Sequence, residues 1–303
     1  MTASRHAFVR FAARCARAAT GALALGLASG ALAAADAPLT VRFASADGTA
    51  LVGYVFAPND DLAAPRPAVV MLHGRAGPYS SNVNGRCTRV GADIVSPCDA
   101  TTLSRRHLQW GRYWAEHGRL AILVDSFGPR GKAHGFGRGT HDNPERDDVN
   151  ERSVRPLDAL GALRYLRARG DVDSLRIALQ GWSNGGSTAL NAVARGTQEP
   201  GFQAALVLYP GCGPRAVVAQ AYATAVPLLA LLAADDEEVS PAACERMFEH
   251  ARRNGSPVAW TTYPGATHDF DDPGTRRQAI AANRAARDDA LRRALAFVAN
   301  PLH

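Results

Sequence analysis

Gly181-Trp182-Ser183-Asn184-Gly185 sets a serine between glycines two residues to either side. This is the GxSxG pattern of a nucleophile elbow, a sharp strand-to-helix turn that pushes the serine hydroxyl towards solvent. The glycines belong there because the two backbones pass too closely for a Cβ. A serine hydroxyl becomes a useful nucleophile only when a base takes its proton, and an imidazole held by a carboxylate suits that work. Downstream lie Asp235-Asp236 and then His268, so the order is serine, acid, histidine. Asp236 is the chosen acid because it stands three residues past Ala233 with Pro241 following. Asp235, Glu237 and Glu238 read as a solvated acidic turn. Asp125 is an alternative acid, but its place before the serine breaks the expected order. His73-Gly74-Arg75-Ala76-Gly77 ends an earlier apolar run and offers backbone donors. With the residue after the nucleophile it would form an oxyanion hole from the Arg75 and Asn184 amides, Ala76 being the alternative to Arg75. His73 itself reads as a loop-holding residue.

These residues act together only if strands and helices bring their loops to one edge. Apolar runs at 39–45, 50–57, 68–72, 120–124, 175–179, 204–209, 227–233 and 258–263 read as strands. The first two form a hairpin around Ala46-Asp47-Gly48-Thr49. Helical patterns at 105–117, 150–169, directly after Ser183, 242–254 and 278–298 separate most of the rest. The expectation is an α/β fold with a mostly parallel sheet of about eight strands flanked by helices. In such a sheet functional groups gather at the carboxyl ends of strands, where Ser183, Asp236 and His268 all fall. The segment 125–140 reads as a rigid loop shaping a pocket, with Arg130 and Arg155 pairing to carboxylates such as Asp158. Trp182, Phe127 and Phe270 flank these positions and are candidate pocket residues, core packing being the equal alternative. The insertion 79–104 is a candidate lid or a surface ornament.

The N-terminus differs from the rest. Arg5, Arg10, Arg14 and Arg17 precede a small-residue apolar run, 18–32, and Ala33-Ala34-Ala35. This is the layout of a secretory signal peptide with cleavage near Ala35, leaving 36–303 as one domain. The run is too short and too rich in Ala and Gly for a spanning helix, so no stable membrane insertion is expected after cleavage. The formal charge of +6 loses four arginines and no acid with that segment, leaving +2, which argues against nucleic acid as a partner. Cys87, Cys98, Cys212 and Cys244 remain, an even number in an exported chain. The pairs Cys87 with Cys98 and Cys212 with Cys244 are the natural candidates, free buried thiols the alternative. Spacing for a zinc site is lacking, so no metal is expected. The expected compartment is periplasmic or secreted, and the oligomeric state stays open.

Taken together, His73-Gly74, Asp125-Ser126-Phe127-Gly128-Pro129-Arg130-Gly131, Arg155-Pro156-Leu157-Asp158-Ala159, Gly181 to Gly186 and Tyr263-Pro264-Gly265-Ala266-Thr267-His268-Asp269-Phe270 resemble the dienelactone hydrolase family of the α/β-hydrolase superfamily. The likeness runs from about Leu39 to the C-terminus. It implies the α/β-hydrolase fold and a hydrolase needing no cofactor. Dienelactone hydrolases proper carry a cysteine nucleophile, whereas this elbow carries Ser183. The resemblance therefore implies a serine hydrolase that cleaves small carboxylic esters or lactones through an acyl-enzyme. A peptidase or amidase of the same superfamily and a catalytically silent binding protein are the alternatives.

Overall fold

In the computed structural model the described residues are 37–59, 65–194, 201–217 and 221–301. The expected signal peptide, 1–35, lies outside them. Eight strands form one sheet: β1 Leu39–Ala44, β2 Ala50–Phe56, β3 Arg66–Leu72, β4 Leu120–Asp125, β5 Val172–Trp182, β6 Ala204–Leu208, β7 Leu228–Ala233 and β8 Val258–Tyr263. Their spatial order is β1-β2-β4-β3-β5-β6-β7-β8. The β1–β2 hairpin joins antiparallel to β4, and all other pairs are parallel. Parallel strands covered on both faces read as continuous apolar runs. Accordingly, LAILVD in β4, AALVL in β6 and LLALLA in β7 are buried throughout.

Alternation along each strand divides the core between two faces. Val69 and Met71 of β3, Leu123 of β4 and Leu206 of β6 point one way, while Val70, Leu72, Ile122 and Val207 point the other. The first face is covered by α1 (Arg105–Glu116) through Trp110 and Trp114, and by α6 (Ala281–Ala299) through Ala286, Ala290, Ala294 and Phe297. The second is covered by α2 (Arg155–Arg167), α3 (Asn184–Ala192) and α4 (Pro241–Arg253), among whose buried residues are Leu163, Leu190 and Phe248. A short helix, α5 (Thr275–Gln278), precedes α6. This is the α/β-hydrolase fold, and the described residues all fall in one compact unit, Ala37–His303. Among the described residues no helix is long and apolar enough to cross a membrane.

Several boundaries differ from the sequence reading for identifiable reasons. Strand β5 starts at Val172, opposite Arg66, but its next partnership is Ile177 with Ala68, so the residues between bulge out of the ladder. Leu175, read as part of a buried run, is left 82% exposed on that bulge. Helix α2 begins at Arg155 rather than near Asn150, because a 3₁₀ segment, Pro144–Val149, precedes it and Pro156 occupies its first turn. The closing helix is interrupted at Ile280, whose ψ of 117° is extended.

Cys87 is bonded to Cys98 and Cys212 to Cys244. The first closes a loop within the 79–104 insertion. The second ties the loop after β6 to α4 across a sequence separation of 32, against 11 for the first. In the chain-entropy model, loops of these lengths stabilise by about 3.7 and about 2.8 kcal/mol. Replacing Cys212 and Cys244 by alanine should therefore lower the unfolding free energy by about 3 to 4 kcal/mol, and more than the same change at Cys87 and Cys98. Denaturant titration of the two variants checks this order.

Candidate active site

Strand β5 runs into Ser183 and α3 leaves from Asn184, so one residue makes the whole turn. Ser183 has φ 50° and ψ −118°, a conformation that a non-glycine residue holds only when its surroundings impose it. A Cβ on Gly181 would overlap the carbonyl oxygen of Gly185, and one on Gly185 the carbonyls of Leu72 and His73. The Ser183 amide donates to Leu208 O on β6 at 2.9 Å. The turn thus sits wedged between β3 and β6, with Ser183 7% exposed at the carboxyl edge of the sheet.

The loop after β8 brings His268 onto this serine, with Nε2 3.0 Å from Ser183 Oγ. Its Nδ1 lies 2.8 and 2.9 Å from the two oxygens of Asp236, in the loop after β7. A carboxylate only accepts, so Nδ1 carries the proton and Nε2 is left to accept from the serine hydroxyl. Asp236 Oδ1 also accepts from the Glu238 and Val239 amides at 2.8 and 2.9 Å, which fixes the carboxylate. Burial disfavours charge on His268, but the hydrogen bond to Asp236 and the charges of Asp269, Asp236 and Glu238 outweigh it and raise its pKa.

The acidic turn does more than the sequence reading assigned to it. Asp235 is exposed. Glu237, however, accepts from the His268 amide at 2.9 Å and from Arg277 at 2.8 Å. The Glu238 side chain is only 8% exposed, with Oε2 3.7 Å from His268 Nε2. Arg75 holds it with two hydrogen bonds, Nε at 2.9 Å and Nη2 at 2.8 Å. Burial opposes its ionisation, yet Arg75 and the nearby His268 keep its pKa below the usual value. This loop is therefore a structured part of the site rather than a solvated turn.

Arg155, expected to pair with Asp158, lies fully buried beneath the elbow instead. Its Nη2 donates to His73 O at 2.8 Å and its Nη1 to Asn184 Oδ1. Burial draws its pKa down to about 10, so it stays charged at neutral pH. Asp158 accepts two hydrogen bonds of 2.8 Å from Arg130, and its charge also acts on Arg155. Asn184 opens α3, and the first amides of a helix lack intrahelical partners. One guanidinium thus links the loop of Arg75 to the elbow and its amide. His73 is fully buried, contacts the Phe127 ring edge-on and, through burial and the nearby Arg155, has its pKa held well below the usual value. Asp125 does not reach His268: it accepts from Tyr79 and from the Phe127 and Gly128 amides at 2.7, 3.0 and 2.8 Å, bracing its own loop.

The three candidate pocket aromatics, Trp182, Phe127 and Phe270, are fully buried and line neither cavity beside Ser183. They are core residues because the strand and loop ends carrying them turn inward beneath the site. Trp182 instead exposes a cluster that sequence reasoning missed. Its Nε1 donates to Asp271 Oδ2 at 2.9 Å, and Trp110 Nε1 donates to the same oxygen at 2.7 Å. Tyr209 donates to Oδ1, and its ring lies 4.7 Å from that of His268. Arg106 completes the group, 2.8 Å from Asp269. The only sequence signal is the run of acids after His268, whose partners lie on other elements.

Among the described residues two cavities meet at Ser183. One of about 450 Å³ lies beside Asn184, Ser187 and the loop after β6. The other, about 230 Å³, lies beside His268 and the insertion. Among the described residues no group of three or more His, Cys, Asp or Glu side chains is placed to hold a metal ion.

Comparison with known proteins places this chain in a family. No curated protein matches the chain. Solved structures do: a dienelactone hydrolase-like promiscuous phosphotriesterase from metagenomic libraries is 18% identical, with 88% of this chain and 100% of that one covered and a TM-score of 0.61. A thermophilic esterase from Thermogutta terrifontis, bound to propionate, is 17% identical over 87% and 94% of the two chains, with a TM-score of 0.58. A puromycin-hydrolyzing peptidase from Mycobacterium tuberculosis is 22% identical over 88% of this chain and 40% of its own, with a TM-score of 0.58. At these identities the likeness is one of fold. The profile of the dienelactone hydrolase family matches residues 117–302, which include the elbow, the acid turn and the histidine loop, and the chain belongs to that family of hydrolases.

Proposed function

We propose that this hydrolase cleaves carboxylic esters through an acyl-enzyme formed on Ser183. The observation that carries the reading is the unbroken line from Ser183 Oγ to His268 Nε2 at 3.0 Å and from His268 Nδ1 to Asp236 at 2.8 Å. In this reaction Ser183 Oγ attacks the carbonyl carbon while His268 takes its proton, and Asp236 holds the imidazole and the imidazolium that forms. The Arg75 and Asn184 amides receive the developing negative oxygen. The imidazolium then returns its proton to the leaving oxygen, and a water repeats the sequence to release the acid. Serine at this elbow supports general esters and lactones alike. The paired cysteines, with the basic and apolar N-terminus, support action outside the cytoplasm after removal of 1–35, with 36–303 as the working domain.

A fluorophosphonate probe should label the purified protein and leave Ser183→Ala unlabelled. The same variant should lose at least about a thousandfold in kcat on aryl esters. Labelling that persists in the variant would remove Ser183 from this role, and faster turnover of aminoacyl amides than of esters would make the protein an amidase.

His268 must be neutral to accept the serine proton, and its pKa is raised, so kcat/KM should fall on acidification with a midpoint above the ordinary histidine value of 6.5. Glu238→Gln deletes one of the charges that raise it and takes the carboxylate from Arg75 and Arg138, so both effects shift the midpoint to lower pH. A pH profile with an unmoved midpoint would show that Glu238 does not act on His268.

Arg155→Met should leave the His73 carbonyl and the Asn184 side-chain oxygen unpaired in the core, at a cost of about 2 to 4 kcal/mol in stability. Thermal and denaturant unfolding read this directly.

A further inference from the structure

We infer that the alcohol released from the ester is a small, neutral, hydroxylated one, such as a glycerol or a sugar, bound in the cavity walled by the 79–104 insertion. The inference rests on the proposed serine-ester reaction and concerns the side of Ser183 on which each half of the substrate lies.

The proton path decides the direction. When the tetrahedral intermediate collapses, the bond from carbon to the alcohol oxygen breaks, and the proton that His268 took from Ser183 Oγ passes from Nε2 to that oxygen. The leaving oxygen must therefore lie within hydrogen-bond reach of Nε2. Of the two cavities beside Ser183, the smaller is lined by His268 and the larger is not. The larger is lined by Asn184, whose amide faces the oxyanion, and by Cys212, Pro214, Ala216, Val239 and Ala243, which make it the more apolar of the two. The acyl chain belongs there and the alcohol in the smaller space.

The smaller cavity has a distinct chemistry. Ser81 and Asn84 near the start of the insertion and Ser104 at its end supply hydroxyl and amide groups. Its charged lining is Arg75, Arg106, Glu238, Asp269 and Asp272, and Arg138 from outside the lining also pairs with Glu238 at 2.7 Å. Both arginines are already engaged, Arg75 with Glu238 and Arg106 with Asp269. An anionic alcohol would meet carboxylates and only guanidiniums already bound to them. An alkyl chain would strip water from the serine, amide and carboxylate groups and give no hydrogen bond in return. A volume of about 230 Å³ corresponds to about eight waters at roughly 30 Å³ each, the scale of a triol or a single sugar ring.

The test uses the purified protein and five butyrate esters, of glycerol, ethanol, hexanol, choline and glycolate, each kcat/KM divided by the ester's alkaline hydrolysis rate. The glyceryl ester should exceed the ethyl and hexyl esters at least tenfold, and the glycolate ester should be slowest. Asn84→Leu should collapse the glyceryl-to-ethyl ratio towards one, and Ser81→Val, at an exposed position, should lower it independently. Hexyl butyrate equal to or faster than the glyceryl ester would overturn the inference, as would a ratio retained in both variants. A preference for the choline ester would instead assign the cavity to a cation. Failure of the underlying reaction looks different: none of the five esters turns over and the fluorophosphonate probe does not label Ser183, in which case this inference falls with it.

Discussion

The buried guanidinium of Arg155 is the interaction on which the arrangement of the site rests. Strand β3 and the elbow are brought so close that Gly185 abuts the carbonyls of Leu72 and His73. Such an approach leaves polar backbone groups without room for water. Arg155 resolves this by donating to the His73 carbonyl and to the Asn184 side chain together. Burying a guanidinium is expensive, and the expense is accepted only where several acceptors converge. Its hydrogen bonds fix the spacing of two loops from different strands, those that carry the Arg75 and Asn184 amides. The Phe127 ring, 5.0 Å from the guanidinium carbon, closes the other side with its π face.

A second buried centre does for the histidine what Arg155 does for the elbow. Asp271 receives the indoles of Trp110 and Trp182 and the hydroxyl of Tyr209, joining α1, the residue before Ser183 and the residue after β6 in one carboxylate. Tyr209, with φ 38°, and Asp269, with φ 61°, hold positive backbone angles on either side of His268, as Ser183 does at the elbow. Three of the four positive angles at non-glycine residues among the described residues thus fall at the site, the fourth being Asp93 in the insertion.

The parts legible in the sequence were those whose signal is local. A glycine two residues to either side of a serine, an apolar run before it and acids at a strand end are all properties of short segments. Hence Ser183, Asp236 and His268 were brought to one edge by reading strand ends alone, and the sheet of eight strands followed from the same runs. What escaped depends on pairings between distant segments. Arg155 faces His73 across 82 positions and Trp110 faces Asp271 across 161, and no spacing rule announces either. Glu238 looks like any acid on a turn until Arg75, 163 positions away, is placed against it. For Trp182, Phe127 and Phe270 the sequence leaves pocket and core open for the converse reason: adjacency in sequence to a reactive residue does not specify which way a side chain turns, and all three are fully buried.

Electrostatically, the candidate site is asymmetric in a way that suits the proposed reaction. His268 has Asp236 on one nitrogen and Glu238 3.7 Å from the other, with Asp269 next in sequence, so negative charge surrounds the position where an imidazolium would form. The same carboxylates would repel an oxyanion developing a few ångströms away, and catalysis would gain little if both effects were equal. Arg75 breaks the balance. Its side chain binds Glu238 while its backbone lies in the loop assigned to the oxyanion, so the charge nearest that oxygen is neutralised at its source, whereas Asp236 lies behind the ring with its Oδ1 also held by the Glu238 and Val239 amides. Stabilisation of the cation and tolerance of the anion would then both come from one acidic turn held by Arg75 and Arg138, which gives the Arg75 side chain a part beside the amide that the proposed oxyanion would use.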